Sequence, residues 1–189
     1  FQNELHSELE SARPLVESLA AITREADPSR PVTFASNRFP EDRCLDIVDI
    51  VSINLYPGWY AQDPDTYRPL NEIAARIRTV EEELHRQGLA GKPLVLSEIG
   101  AGAIYGWRDE HAGHWSEQYQ ADYLLEVCAQ FLERSSISGL ALWQFADART
   151  YGSARALMRP GTFNNKGIVD AYRRPKQAYD LVRQLMTSP

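Results

Sequence analysis

Glu4 and Glu98 are the side chains best placed by their neighbours to do chemistry in this sequence. Glu4 follows Asn3 ahead of a helix, and Glu98 follows Ser97 at the end of the apolar run Pro93-Leu94-Val95-Leu96. Two carboxylates at the ends of two different strands meet the demand of glycoside hydrolysis, where one acid protonates the leaving oxygen and the other attacks the anomeric carbon. Asn3 adds an amide able to bond a sugar hydroxyl beside the reacting carbon, a contact that strengthens in the transition state. Strand packing holds the Glu98 backbone, and Gly100 leaves room for a ligand. One glutamate at a strand end is ordinary, so the weight rests on the pairing.

Aromatic residues mark the same strand ends. Tyr56, Trp59 and Tyr60 follow the strand that ends at Asn54-Leu55, and Trp143 closes the strand Leu140-Ala141-Leu142. Sugar rings stack on aromatic faces while their hydroxyls need directed polar partners, so Trp and Tyr mixed with Asn and Glu form an expected lining. Trp143 is also compatible with barrel core. Of the four histidines, His6 lies beside Glu4 and His85 on a charged helix face. His111 and His114 have a metal-like spacing in a loop without a matching ligand pattern, so no metal is expected.

These residues need a scaffold, and the apolar pattern supplies one. Short β-branched runs alternate with stretches of helical period, the signature of a parallel sheet with crossover helices. Strands are predicted over 32–35, 47–55, 93–97 and 139–145, and helices over 8–25, 70–87, 116–134 and 175–186. In the second helix Ile73, Ile77, Val80 and Leu84 form one apolar stripe on a charged background. Irregular stretches at 56–69, 99–114 and 146–172 follow strands, the side on which α/β folds bind ligands. A closed (β/α)8 TIM barrel takes about 250 residues. This 189-residue α/β chain is therefore expected to be one domain piece over residues 1–189, the C-terminal part of such a barrel, from about strand 4 to strand 8.

Composition narrows the function classes. The chain is 43% hydrophobic and 24% charged, which excludes global disorder, and its net charge of −6 argues against nucleic acid or an anionic membrane as partner. No apolar run is long enough to span a bilayer, and Phe1-Gln2-Asn3-Glu4 lacks the basic and apolar segments of a signal peptide. Cys44 and Cys128 read as buried thiols. Against the acidic background, residues 155 to 176 hold six cations (Arg155, Arg159, Lys166, Arg173, Arg174, Lys176) and one acid, Asp170. Such a run is either a solvated face or a site for an anionic group.

Taken in order, the segments Asn3-Glu4, Asp27-Pro28-Ser29-Arg30-Pro31, Asn54-Leu55-Tyr56-Pro57-Gly58-Trp59-Tyr60, Ser97-Glu98-Ile99-Gly100, Trp115-Ser116-Glu117-Gln118-Tyr119-Gln120, Trp143-Gln144-Phe145-Ala146-Asp147 and Asn164-Asn165-Lys166-Gly167 resemble the C-terminal half of the catalytic barrel of glycoside hydrolase family 2, and within it the β-glucuronidases. The resemblance runs almost end to end and departs at Leu5, where these enzymes usually carry Pro, and in a slightly longer Pro160-Gly161-Thr162-Phe163 loop. It implies a retaining exo-glycosidase acting on terminal β-D-glucuronides. Glu4 would be general acid/base and Glu98 nucleophile, with carboxyl groups about 5–5.5 Å apart. Asn3, Asn54, Tyr56, Tyr60, Trp143, Arg159, Asn164 and Lys166 would bind the sugar, Asn164 and Lys166 at its carboxylate. It implies no cofactor, a small-molecule or oligosaccharide glycoside as substrate, upstream β-sandwich domains and barrel half in the parent chain, and a homo-oligomer. A β-galactosidase or β-galacturonidase of the same family, and a non-catalytic carbohydrate-binding module that keeps the fold, are the alternatives.

Overall fold

A computed structural model describes residues 1–60, 70–150 and 158–187 of the chain. Parts of the predicted loops at 56–69 and 146–172, including Arg155, lie outside the described residues. A single-turn 3-10 helix, Glu10–Ala12, leads into α1 (Arg13–Ala26); then come β1 (Ala35–Ser36), β2 (Val51–Asn54), α2 (Asn71–Arg86), β3 (Leu94–Ile99), α3 (Glu117–Glu133), β4 (Ile137–Leu142), β5 (Ala148–Arg149), β6 (Phe163–Asn164) and α4 (Gln177–Thr187). The main sheet has the order β1-β2-β3-β4, with β1–β2 and β2–β3 parallel. That is the α/β barrel-type architecture the periodicity predicts, and every predicted helix is found to within a few residues of its predicted ends.

The strands differ more. β1 comprises two residues where 32–35 was expected, and β2 starts at Val51 where the expected strand starts at residue 47. The cause is Asp49, whose Oδ2 accepts the Val32 N–H at 2.7 Å, while the Thr33 hydroxyl donates to the Ile50 carbonyl at 2.8 Å. Side chains satisfy these backbone groups, so the segments run together without a regular ladder. β4 ends at Leu142, short of the predicted residue 145, because Gln144 N–H turns to the Lys166 carbonyl at 3.0 Å.

The chain divides into two compact units. The first, Phe1–Leu55, Ala75–Glu98 and Arg134–Ala141, holds most of the main sheet. All four β2 residues are buried, as expected for a strand covered on both faces. Ile77, Val80 and Leu84 line the buried stripe of α2. The second, Tyr56–Ala74, Ile99–Glu133 and Leu142–Pro189, packs α3 against α4 and carries the antiparallel pair β5–β6. Cys44 and Cys128 are buried free thiols, each pushed up to about 11 by desolvation.

Candidate active site

In the first unit the site residues gather around Asn54. Residues 2–4 run beside β1, with Ala35 N–H donating to the Gln2 carbonyl at 3.0 Å and Glu4 N–H to the Ala35 carbonyl at 2.9 Å. Asn54, at the end of β2 and 6% exposed, donates its amide protons to Asn3 Oδ1 and Glu4 Oε1, each at 3.0 Å. Its carbonyl oxygen accepts the Ser97 hydroxyl at 2.8 Å. One buried amide thus uses both protons and its acceptor to tie the Asn3-Glu4 segment to Ser97-Glu98.

The register explains how β3 reaches this point. Ile53 pairs with Leu96, but Asn54 pairs with Glu98, so Ser97 is an extra residue in the ladder. A bulge of this kind re-aims side chains beside functional sites, and it brings Ser97 to the Asn54 amide and Glu98 opposite Asn54 in one step. Nothing in the sequence marks the bulge, and Ser97 was not singled out as a bracing residue.

Glu4 has φ of 52°, in the left-handed region that non-glycine residues rarely occupy. Such a backbone persists where its surroundings over-determine it. Here the support is buried Asp42. One of its oxygens accepts the hydroxyls of Ser7 and Ser36, and the other accepts Cys44 N–H at 2.8 Å. The turn just after Glu4 is thereby tied to the end of β1. His6 points away, with Nδ1 on Glu8 Oε1 at 2.9 Å.

In the second unit the focus is Lys166. It is 3% exposed, its Nζ donates to the Tyr60 hydroxyl at 2.6 Å, and the ammonium lies 5.2, 5.2 and 4.4 Å from the ring centroids of Tyr56, Trp59 and Tyr60. Ring faces carry partial negative charge and hold a cation there. The turn bearing these rings needs Gly58, whose φ is 70° and whose carbonyl accepts the Tyr119 hydroxyl at 2.5 Å. Beneath them Trp59 stacks on His114, with centroids 4.1 Å apart, and meets Trp115 edge-on at 4.7 Å. His114 thus serves as an aromatic support.

The remaining expected sugar-binding residues have separate roles. Asn164 lies in β6 opposite Ala148, and its carbonyl accepts Gln144 Nε2 at 3.3 Å. Arg159 donates to the Thr150 hydroxyl at 2.8 Å. Trp143 is 39% exposed, and its N–H donates to the Ile99 carbonyl at 2.9 Å. Gly100 does not leave room for a ligand as expected: a Cβ there would fall 2.0 Å from the Trp143 carbonyl oxygen, so that backbone fills the space. Among the described residues the cationic run divides: Lys166 and Lys176 are buried, whereas Arg173 and Arg174 are exposed, Arg174 pairing with Asp170.

Comparison with known proteins follows the same lines. The family described as "Glycosyl hydrolases family 2, TIM barrel domain" matches residues 3–188. Human β-glucuronidase is 34% identical over 186 residues, which are 96% of this chain and 27% of that protein. A family 2 β-galacturonidase from Eisenbergiella tayi, solved with galacturonate, superposes with a TM-score of 0.86 at 38% identity, covering 97% of this chain and 31% of that one. A β-D-glucuronidase of Dictyoglomus thermophilum gives 0.85 at 26% identity, over 99% and 31% of the two chains. The chain therefore spans little more than a quarter of the length of the curated relatives it matches.

Proposed function

Because this chain belongs to glycosyl hydrolase family 2, within its TIM barrel domain, we propose that it carries the catalytic carboxylates and the sugar-recognition segment of a retaining exo-β-glycosidase acting on terminal β-D-glucuronides. Glu98 as carboxylate attacks the anomeric carbon; the bond to the aglycone oxygen breaks, and Glu4 gives that oxygen its proton. Glu4, now a carboxylate, takes a proton from water, whose oxygen displaces Glu98 and releases the sugar with retained configuration. Asn3 and Asn54 serve the sugar hydroxyl next to the reacting carbon and the orientation of Glu4.

The observation that carries the uronide reading is Lys166. A buried ammonium held at the Tyr60 hydroxyl beside three aromatic rings, in the segment that the resemblance assigns to the sugar carboxylate, is a compact positive charge that suits an anionic substituent better than a neutral one. The same observation weighs against a β-galactosidase. It does not separate glucuronide from galacturonide, which differ at one ring carbon, and the 38% identity to the Eisenbergiella enzyme solved with galacturonate supports β-galacturonide as the second reading.

The test is kcat/KM of the complete protein on matched aryl β-glucuronide, β-galacturonide and β-galactoside. A uronide is expected to be preferred, and Lys166→Ala is expected to cut kcat/KM on that uronide by about 10³-fold or more, as when a site built for a polar group loses its partner, with little change on the galactoside. Galactoside preference would discard the uronide reading; sugar binding without turnover would favour the non-catalytic module.

A further inference from the structure

Lys176 is one of the most deeply buried charges in the second unit, with its side chain 0% exposed, and the proposed reaction does not use it. Its Nζ donates to the Ala103 carbonyl at 2.6 Å, to Asp147 Oδ1 at 2.8 Å and to the Asn165 carbonyl at 2.9 Å. Three protons meet three acceptors from three chain segments, which suits a compact ammonium and not the planar fork of arginine. Burial pushes the Lys176 ammonium down and the Asp147 carboxyl up, against the attraction of each for the other. A pair held at that cost is weak evidence for stability, and its acceptors point to another use.

Those acceptors surround Lys166. The Asn165 carbonyl, which takes Lys176, also takes Ala103 N–H at 2.9 Å; Gly167 N–H donates to the same Asp147 oxygen at 2.9 Å; and the Gly167 carbonyl takes Gln120 Nε2 at 3.0 Å. Both peptides flanking Lys166 are thus gripped. Gly167 has no room for a side chain, since a Cβ would lie 2.2 Å from Asp147 N. The aromatic platform is tied to the same point. Ala103 bridges to Trp115, and the rings of Trp59 and Trp115 rest on Gly102, each 2.9 Å from where a Cβ would stand. Lys176 therefore links the backbone that launches Lys166 to the strip on which its ring platform sits.

We infer that Lys176, through Asp147, Asn165 and Ala103, is a positioning residue for carbohydrate-carboxylate recognition: it fixes the Lys166 ammonium over its rings, so that uronide selectivity depends on a lysine that has no access to the sugar. This rests on the uronide reading above. A purely structural pair would support all substrates alike, whereas a clamp on Lys166 acts on the carboxylate.

The experiment compares Lys176→Met, Lys176→Arg and the double variant Asp147→Asn/Lys176→Met in the complete protein. The double variant keeps an acceptor for Gly167 N–H and leaves no lone buried charge. In a folded Met variant the uronide-to-galactoside ratio of kcat/KM is expected to fall about 10- to 100-fold, the range expected for a small misplacement of a binding group, through the KM for uronide. The galactoside kcat should stay within about 3-fold and Lys176→Arg should not rescue the ratio. An unchanged ratio, or equal losses on both substrates, overturns the inference, as does failure of both Met variants to fold. A crystal structure of the double variant gives a readout that needs no substrate: a Lys166–Tyr60 hydrogen bond kept as in the wild type overturns the inference, and its loss supports it. If the wild type prefers the galactoside, the uronide reading fails at that step, and the crystallographic result still decides on the clamp.

Discussion

The two units hold their key charges by opposite means. In the first, Glu4 is tied by a neutral amide, Asn54, which is itself braced by the Ser97 hydroxyl. In the second, Lys166 lies among three ring faces and a phenol, and the peptides beside it are pinned by a buried ion pair. The difference matches the roles proposed above for the two charges. A general acid/base must exist in both protonation states, and a neutral amide N–H accommodates both without a fixed opposing charge. A lysine that recognises an anion keeps one charge throughout, so ring quadrupoles and buried polar groups can be committed to it permanently.

The comparison breaks most sharply at the carboxylates. Glu98→Gln is expected to lower kcat by about 10³-fold or more on uronide and galactoside alike, because it removes the proposed nucleophile and leaves sugar recognition in place; steady-state kinetics on the two substrates checks it. A loss confined to uronide would assign Glu98 to recognition and overturn the division.

Asn54→Ala should act next in size. Removing an amide that bonds a carboxylate and is buried between segments costs on the order of 1.5–3 kcal/mol, about 10- to 100-fold in kcat/KM at 1.36 kcal/mol per factor of ten. The loss should again be equal on both substrates, in contrast to the selective loss expected from Lys166→Ala. Selective loss on uronide would show that Asn54 serves the carboxylate.

The smallest effect concerns acid stability. In the first unit the Arg13 and Arg24 guanidinium groups, through hydrogen bonds to Asp46 and Asp49, hold these carboxyls below the usual range. A depressed carboxyl contributes stability above its unfolded pKa, near 3.9, and loses it as pH falls through the folded value. Both aspartates are well exposed, so each contributes no more than about 1 kcal/mol. In the second unit Asp147 is shifted upward by burial, so it adds nothing of this kind. Chemical unfolding from pH 6 to pH 2.5 should show Asp46→Asn and Asp49→Asn flattening the acid limb slightly, and unchanged limbs would place the acid sensitivity elsewhere.

Much of this was legible in the sequence. The stripe of Ile73, Ile77, Val80 and Leu84 identifies α2 because helical period is a local property, and Pro93-Leu94-Val95-Leu96 identifies β3 for the same reason. The Asn-Glu and Ser-Glu pairs and the Tyr-Pro-Gly-Trp-Tyr turn stood out through residue type and order. Four features were not legible. The bulge at Ser97 depends on how β2 and β3 register, the space beside Gly100 is filled by the Trp143 backbone, Asp42 earns its partners only when Ser7 and Ser36 meet, and the Lys176–Asp147 pair joins residues 29 positions apart.

By itself the sequence determined the alternation of strand and helix, the order of the chemistry-bearing segments along them and the presence of a lysine in the Asn164-Asn165-Lys166-Gly167 stretch, because periodicity and residue type act over a few neighbours. Only the tertiary structure decided which lysine of the cationic run sits among the rings, which one is locked in the interior, and which amide joins Asn3-Glu4 to Ser97-Glu98. Those outcomes depend on desolvation and hydrogen-bond geometry between distant segments, and a charge shows whether it is solvated or held only once the chain has closed around it.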